Sequence, residues 1–199
     1  QTQYVYSPTE GQQTGLYSDF IRARTINDPS NDDLAGANDP TGPTDQRLAA
    51  GPHAATFAST AVARGQEITG PVTATLYAKT TAADTDFVVK LVDIFPDGSY
   101  SGSGPQPGYW NLMTQGNLKG TFRTFHTDYL SQSPIPTDKV VRFDVQLRAT
   151  GYWLEKGHRL GVIVTSADFP REIANPNPAV VTVLSSHRYP SHVTLPLIP

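Results

Sequence analysis

The stretch Asp86-Phe87-Val88-Val89-Lys90-Leu91-Val92-Asp93-Ile94-Phe95 decides the fold. It is apolar on both alternating faces, which suits a central strand covered on each side, and Pro96-Asp97-Gly98 follows it with turn chemistry. Upstream, Val72-Thr73-Ala74-Thr75-Leu76-Tyr77-Ala78-Lys79 alternates, with Val72, Ala74, Leu76 and Ala78 on one face. Downstream, Val140 to Leu147 places Val141, Phe143, Val145 and Leu147 inward and Arg142, Asp144 and Gln146 toward solvent. A slip of one residue there would bury the charges. Tyr152 to Arg159 reads as a turn-bearing link in which Gly157 permits positive φ, and Leu160 to Ser166 reads as the next strand, antiparallel and adjacent to Val140–Leu147. Val180–Leu184 and Val193–Leu197 complete the set, with Pro190 and Pro196 confining the last strand to an edge. Only Thr44 to Ala50 has any helical character, and it is too short to stand alone. Strands without intervening helices imply antiparallel sheets in a sandwich, jelly-roll or barrel, and the jelly-roll sandwich of two sheets is the favoured reading.

Composition agrees. The 199 residues include 16 Gly and 17 Pro, too many for a helical bundle, and 38% hydrophobic residues supply one real core. A net charge of −3 gives no basic field for nucleic acid or anionic lipid. No apolar run nears the roughly 18–20 residues that cross a bilayer, so a soluble chain is expected, cytoplasmic or secreted. The absence of Cys excludes disulfides, thiolate metal sites and a cysteine nucleophile. The chain opens Gln1-Thr2-Gln3-Tyr4, without Met, and so reads as a processed product or a piece of something longer.

Residues 1–53 form an N-terminal clasp and a long surface segment of the same domain, and residues 54–199 its core. Tyr4, Tyr6, Leu16, Tyr17, Phe20 and Ile21 are expected to anchor the clasp, whereas Thr25 to Gly51 is dense in Asn, Asp, Pro and Gly.

The search for chemistry returns little. No Ser has the G-x-S-x-G spacing that lifts a nucleophile above a strand-to-helix turn; Ser101 and Ser103 come closest and lie in a Pro-rich loop. The five histidines, His53, His126, His158, His187 and His192, form no H-x-x-x-H pair, so neither zinc nor another cofactor is expected. His158 reads as a turn residue bonded to backbone rather than a general base. Asp28, Asp32, Asp33 and Asp39 miss the calcium-loop pattern and read as a solvated loop. Asp84, Asp86 and Asp93 bracket the central strand, where an inward Asp needs backbone or Arg partners and reads as structural. One stretch, Tyr100 to Trp110, invites a ligand: its prolines stiffen a loop presenting Tyr109 and Trp110, which suits a sugar face, a domain contact or a core edge. A carbohydrate-binding or adhesion module is therefore the alternative function.

Several ordered blocks resemble a known family. Ile68-Thr69-Gly70-Pro71-Val72 followed by Asp84 through Gly98 resembles the C-terminal domain of the X-Pro dipeptidyl-peptidase, cocaine esterase and α-amino-acid ester hydrolase group. Gly116 through Arg123 is similar to its G-x-L-R-x-S-x-R element, with Lys119 for the usual Arg. Lys156-Gly157-His158-Arg159-Leu160, Ser166-Ala167-Asp168-Phe169-Pro170-Arg171 and Asn175 are similar to its G-H-R and S-x-D-F-P-R run, and Pro190 through Pro196 to its closing element. Ser99 to Gln115 reads as a loop longer than the family usually carries. The resemblance implies a galactose-binding-domain-like jelly-roll with no catalytic residue of its own, following and packing against an α/β-hydrolase domain of a serine peptidase or esterase. Asp86, Asp97, Gly98, Gly157, His158, Arg159, Asp168, Phe169 and Pro170 are then structural: Pro96-Asp97-Gly98 turns the central strand, Gly157 allows a hairpin, and Asp168 bonds backbone amides or Arg171.

Overall fold

The computed structural model describes residues 1–8, 53–96, 108–124, 132–168 and 174–199. The anchors Leu16, Tyr17, Phe20 and Ile21, the segment 25–51, His126 and the expected motif residues Asp97, Gly98, Ser101, Ser103, Phe169, Pro170 and Arg171 lie outside them. The strands are β1 (Thr2–Tyr6), β2 (Ala54–Ala61), β3 (Gln66–Gly70), β4 (Thr73–Thr80), β5 (Asp86–Ile94), β6 (Trp110–Lys119), β7 (Val141–Gln146), β8 (Thr150–Leu154), β9 (Arg159–Thr165), β10 (Ala179–Leu184), β11 (His192–Thr194) and β12 (Leu197–Ile198). A 3-10 turn at Gly120–Phe122 is the one helical element among the described residues.

All pairings are antiparallel. One sheet runs β1-β10-β4-β7, with β11 sharing the β10 edge of β4; the other runs β2-β9-β5-β6. The pairs β1·β10, β2·β9, β4·β7 and β5·β6 are nested, as they are when a long hairpin is rolled into two facing sheets, and that nesting is the jelly-roll. A third sheet, β12-β3-β8, stands outside the pair expected from the sequence. The link at Tyr152 is part of strand β8. Strands β7 and β9, expected as neighbours, lie in opposite sheets, because the alternation that defines a strand says nothing about which edge it finds. The expected loop to Gln115 ends earlier, since β6 starts at Trp110.

Between the sheets, Tyr4, Tyr6, Ala74, Leu76, Ala78, Phe143, Val145, Val181 and Val183 meet Ala55, Phe87, Val89, Leu91 and Val164. The Phe87 and Phe143 rings lie 4.1 Å apart across the core. Each large side chain buried in this way contributes about 1.5–3 kcal/mol. Residues 87–94 of β5 are all buried, so its outer face is covered as well, and Val92, Ile94, Trp110 and Ile163 form a second cluster there. At one corner the sheets approach backbone to backbone: a Cβ on Gly116 of β6 would stand 2.1 Å from the Gln146 carbonyl oxygen of β7.

Candidate functional site: two buried polar clusters around the central strand

β5 positions two polar clusters, one from each face. Asp93 continues the inward series Phe87, Val89 and Leu91 and reaches beyond the core toward β8. Its carboxylate accepts hydrogen bonds from His158 Nδ1 at 2.9 Å and from the Tyr152 hydroxyl at 2.9 Å. Asn111 Nδ2 donates to the same hydroxyl at 3.2 Å. A carboxylate only accepts, so the bond fixes the proton of His158 on Nδ1. Phe95 tilts over the imidazole, with ring centroids 4.6 Å apart. The Tyr152 phenol is pushed up to about 12, chiefly by burial and further by the neighbouring Asp93 charge. The turn that delivers His158 closes through its backbone N–H to the Glu155 carbonyl, and Gly157 takes φ +90°. This is the type II geometry in which glycine is favoured. Gly157 thus has the positive φ expected of it, but it joins strands of different sheets rather than a hairpin.

On the outer face, Lys90 of β5 and Asp168 are both 3% exposed, with Nζ 3.7 Å from Oδ1. Gln115 Nε2, opposite Lys90 in the register, donates to Asp168 Oδ2 at 2.6 Å.

The expected residues fall unevenly on these clusters. His158 belongs to the first, where its ring bonds a carboxylate and not backbone as expected. Asp93 is hydrogen-bonded, as an inward Asp must be, but by His158 and Tyr152 rather than by the backbone or Arg expected. Asp168 belongs to the second cluster, with Gln115 and Lys90 among its partners. Asp86 lies at the far end of β5 and its charge helps raise the Tyr6 phenol, after burial. Arg159 begins β9, on the rim. Tyr109 and Trp110 are not displayed: they are 5% and 6% exposed, Trp110 in the outer cluster and Tyr109 edge-on to Phe95 at 6.0 Å. Their burial removes the exposed aromatic face on which a sugar would stack. Sequence reasoning missed Tyr152, Asn111 and Gln115; the half-buried alternation of β8 was the signal for the first.

Chemically, Asp93 and His158 reproduce the carboxylate–imidazole half of a nucleophilic relay, in which the acid holds the ring and the second nitrogen takes a proton from a hydroxyl. Among the described residues no hydroxyl is bonded to that second nitrogen. Nor do the described residues gather three His, Asp or Glu side chains able to hold a metal ion. Both clusters tie strands together.

Comparison with known proteins bears on this arrangement. Residues 1–195 match the model of the X-Pro dipeptidyl-peptidase C-terminal non-catalytic domain. The chain belongs to this family. Cocaine esterase of Rhodococcus sp. (strain MB1 Bresler) is 30% identical over 146 residues, covering 66% of this chain and 23% of that protein. A putative serine esterase of Mycobacterium tuberculosis is 27% identical over 150 residues, 72% of this chain and 24% of that one. An α-amino acid ester hydrolase structure superposes with a TM-score of 0.76 at 24% identity, over 99% of this chain and 32% of its own. An aminopeptidase from a marine sediment archaeon of the Thaumarchaeota gives 0.74 at 22% identity, over 100% and 33%. These two structures share the fold. The chain spans about a quarter of the length of the curated relatives it matches. It is an accessory domain of a family described as C-terminal and non-catalytic, and such a domain makes up about a quarter of the larger esterases it matches.

The family's motif residues acquire physical roles here. Lys119, standing for the usual Arg, pairs with Asp84 at 3.0 Å. Arg123 donates to the carbonyls of Gly120, at 3.1 Å, and Pro134, at 2.9 Å, and so holds the chain where β6 ends.

Proposed function

We propose that this domain buttresses the α/β-hydrolase catalytic domain of a serine esterase or peptidase and supplies no nucleophile to it. The observation that carries this reading is the match of residues 1–195 to a domain described as C-terminal and non-catalytic, in a chain that spans about a quarter of its curated relatives. The names of the relatives, an esterase and a serine esterase among them, supply the reaction class. The third sheet supplies a surface for the contact. Of the four large hydrophobic residues exposed among the described ones, Trp153, Leu197 and Ile198 lie on this ribbon, at 55%, 52% and 43% exposure. Trp153 and Ile198 flank Glu67 in register, and the indole packs beside Gly65 while remaining exposed. Exposed aromatic anchors of this kind mark protein contacts. The experiment is to assay the purified chain against aryl esters and X-Pro anilides: no turnover is expected, and turnover abolished by a serine-directed inhibitor would overturn the proposal.

A further inference from the structure

A cavity of about 260 Å³ enters the sandwich between its two sheets; its lining residues Leu91 and Leu160 neighbour Asp93 on β5 and β9, but no residue of either polar cluster lines it. Its floor is Leu76, Leu91, Val164 and Val183, all buried core residues. Its walls include the half-buried Phe57, Leu160, Val162, Val193 and Leu195, and Ser59, Ser185, Ser191 and His192 stand at the rim. No charged side chain lines it apart from what His192 could carry. The rim hydroxyls are largely committed to backbone: Ser59 donates to the Thr60 carbonyl at 2.7 Å and accepts from Leu160 N–H at 3.0 Å, and Ser191 accepts from Tyr77 N–H at 2.8 Å. The His192 Nδ1 proton is held by the Pro190 carbonyl at 2.8 Å, which leaves Nε2 as the acceptor of the neutral ring.

Water has little reason to fill such a space, because it needs two to four polar partners and the floor offers none. An apolar cavity of about 150 Å³ already takes up benzene in an engineered protein. This one is larger and opens to the rim, with the His192 Nε2 acceptor and the Ser185 hydroxyl beside it. A charged ligand would lose its hydration without gaining a counter-charge.

We propose that this cavity is a binding site for an uncharged, single-ring aromatic molecule carrying at most one small polar substituent, the ring seated on Leu76, Leu91, Val164 and Val183. The site is separate from the reading of the domain as a buttress, and each can fail without the other. The experiment titrates the 199-residue chain with toluene and with phenol, following the Leu and Val methyl groups by NMR. Saturable shifts confined to Leu76, Leu91, Val164, Val183 and their wall neighbours are expected. Val162→Phe, which fills the space from one wall, weakens binding at least tenfold; Leu195→Trp at the half-exposed mouth does the same without touching the floor, should the first variant fold poorly. Absence of saturable shifts up to the solubility of toluene, shifts centred elsewhere, or binding that both folded variants leave intact would overturn the proposal.

Discussion

Two of the ion pairs sit on the two facing sheets of the sandwich, and the shorter is the less consequential. Arg142 and Asp144 of β7 approach to 3.0 Å with side chains 58% and 48% exposed. Lys90 and Asp168 stand 3.7 Å apart, yet their side chains are 3% and 2% exposed. Distance ranks the first pair higher, but desolvation reverses the order. A charge already stripped of water depends on its partner, whereas an exposed one merely exchanges the partner for solvent. The largest effect is therefore expected from Asp168→Ala, which leaves the Lys90 ammonium buried without that carboxylate and removes the acceptor of Gln115. It should cost about 3–5 kcal/mol in urea unfolding. A loss under about 1 kcal/mol would erase the contrast between the two pairs. Replacing both partners with apolar residues, Lys90→Met with Asp168→Leu, should recover most of the loss, because the buried ammonium is removed together with its carboxylate.

The Asp93 cluster lies between these extremes. Its carboxylate is buried, but it serves two donors rather than a permanent cation. Asp93→Ala strands the His158 N–H and the Tyr152 hydroxyl and is expected to cost about 2–3 kcal/mol, measured by the same unfolding curve. A cost equal to that of Asp168→Ala would mean that burial of the acceptor, and not the kind of donor it serves, sets the size of the loss.

Tyr152→Phe should cost less, about 1 kcal/mol at neutral pH, for one hydrogen bond to a charged acceptor shared with Asn111. It carries a pH signature as well. The Tyr152 phenol is raised from its ordinary value of 10 to about 12, so the folded chain keeps a proton that the unfolded chain gives up. That stabilisation is complete below pH 10 and is lost as pH rises through 12. The variant should therefore decline less steeply than the wild type over that window. Tyr4 and Tyr6, also raised by burial, keep some slope in both proteins. Identical slopes would show that Tyr152 is not held in its neutral form.

What the sequence made legible follows from what alternation can encode. The inward faces of β4 and β7 and the double burial of β5 were readable residue by residue, because each is a local pattern of period two. Pairing was not: β7 and β9 are close in sequence yet find opposite sheets, a choice made by long-range nesting with β4, β2 and β5. The family block around Gly116 was readable as a motif but not as a cause, since the reason for its glycine is a carbonyl of β7, thirty positions away. The polar clusters were half legible. Asp93 in an apolar strand announced that a partner was needed, but Tyr152 and His158 approach it from a ribbon and a turn, respectively, whose placement no local pattern reports. Tyr109 and Trp110 misled for the opposite reason, since Pro and Gly beside aromatics describe a loop entrance and an edge of core equally well.

The smallest expected effect completes the ranking, at the exposed pair on β7. The Arg142 guanidinium donates to Asp144 through Nε at 3.1 Å and Nη2 at 3.0 Å, and the Thr75 hydroxyl donates to the same Oδ1 at 2.7 Å. Arg142 is raised further above its already high value, first by the hydrogen bond and then by the charge of Asp144, so it stays charged at every pH at which the protein is folded. Geometry and charge are both favourable, and the only thing missing is exclusion of water. If burial decides the worth of a pair, Arg142→Ala should leave the urea midpoint unmoved within error at physiological salt, and Asp144 should keep its Thr75 bond. A shift comparable to that of Asp168→Ala, and one that vanishes in high salt, would mean that the outer ladder of the first sheet is held by its charges, and that proximity rather than desolvation orders the two pairs.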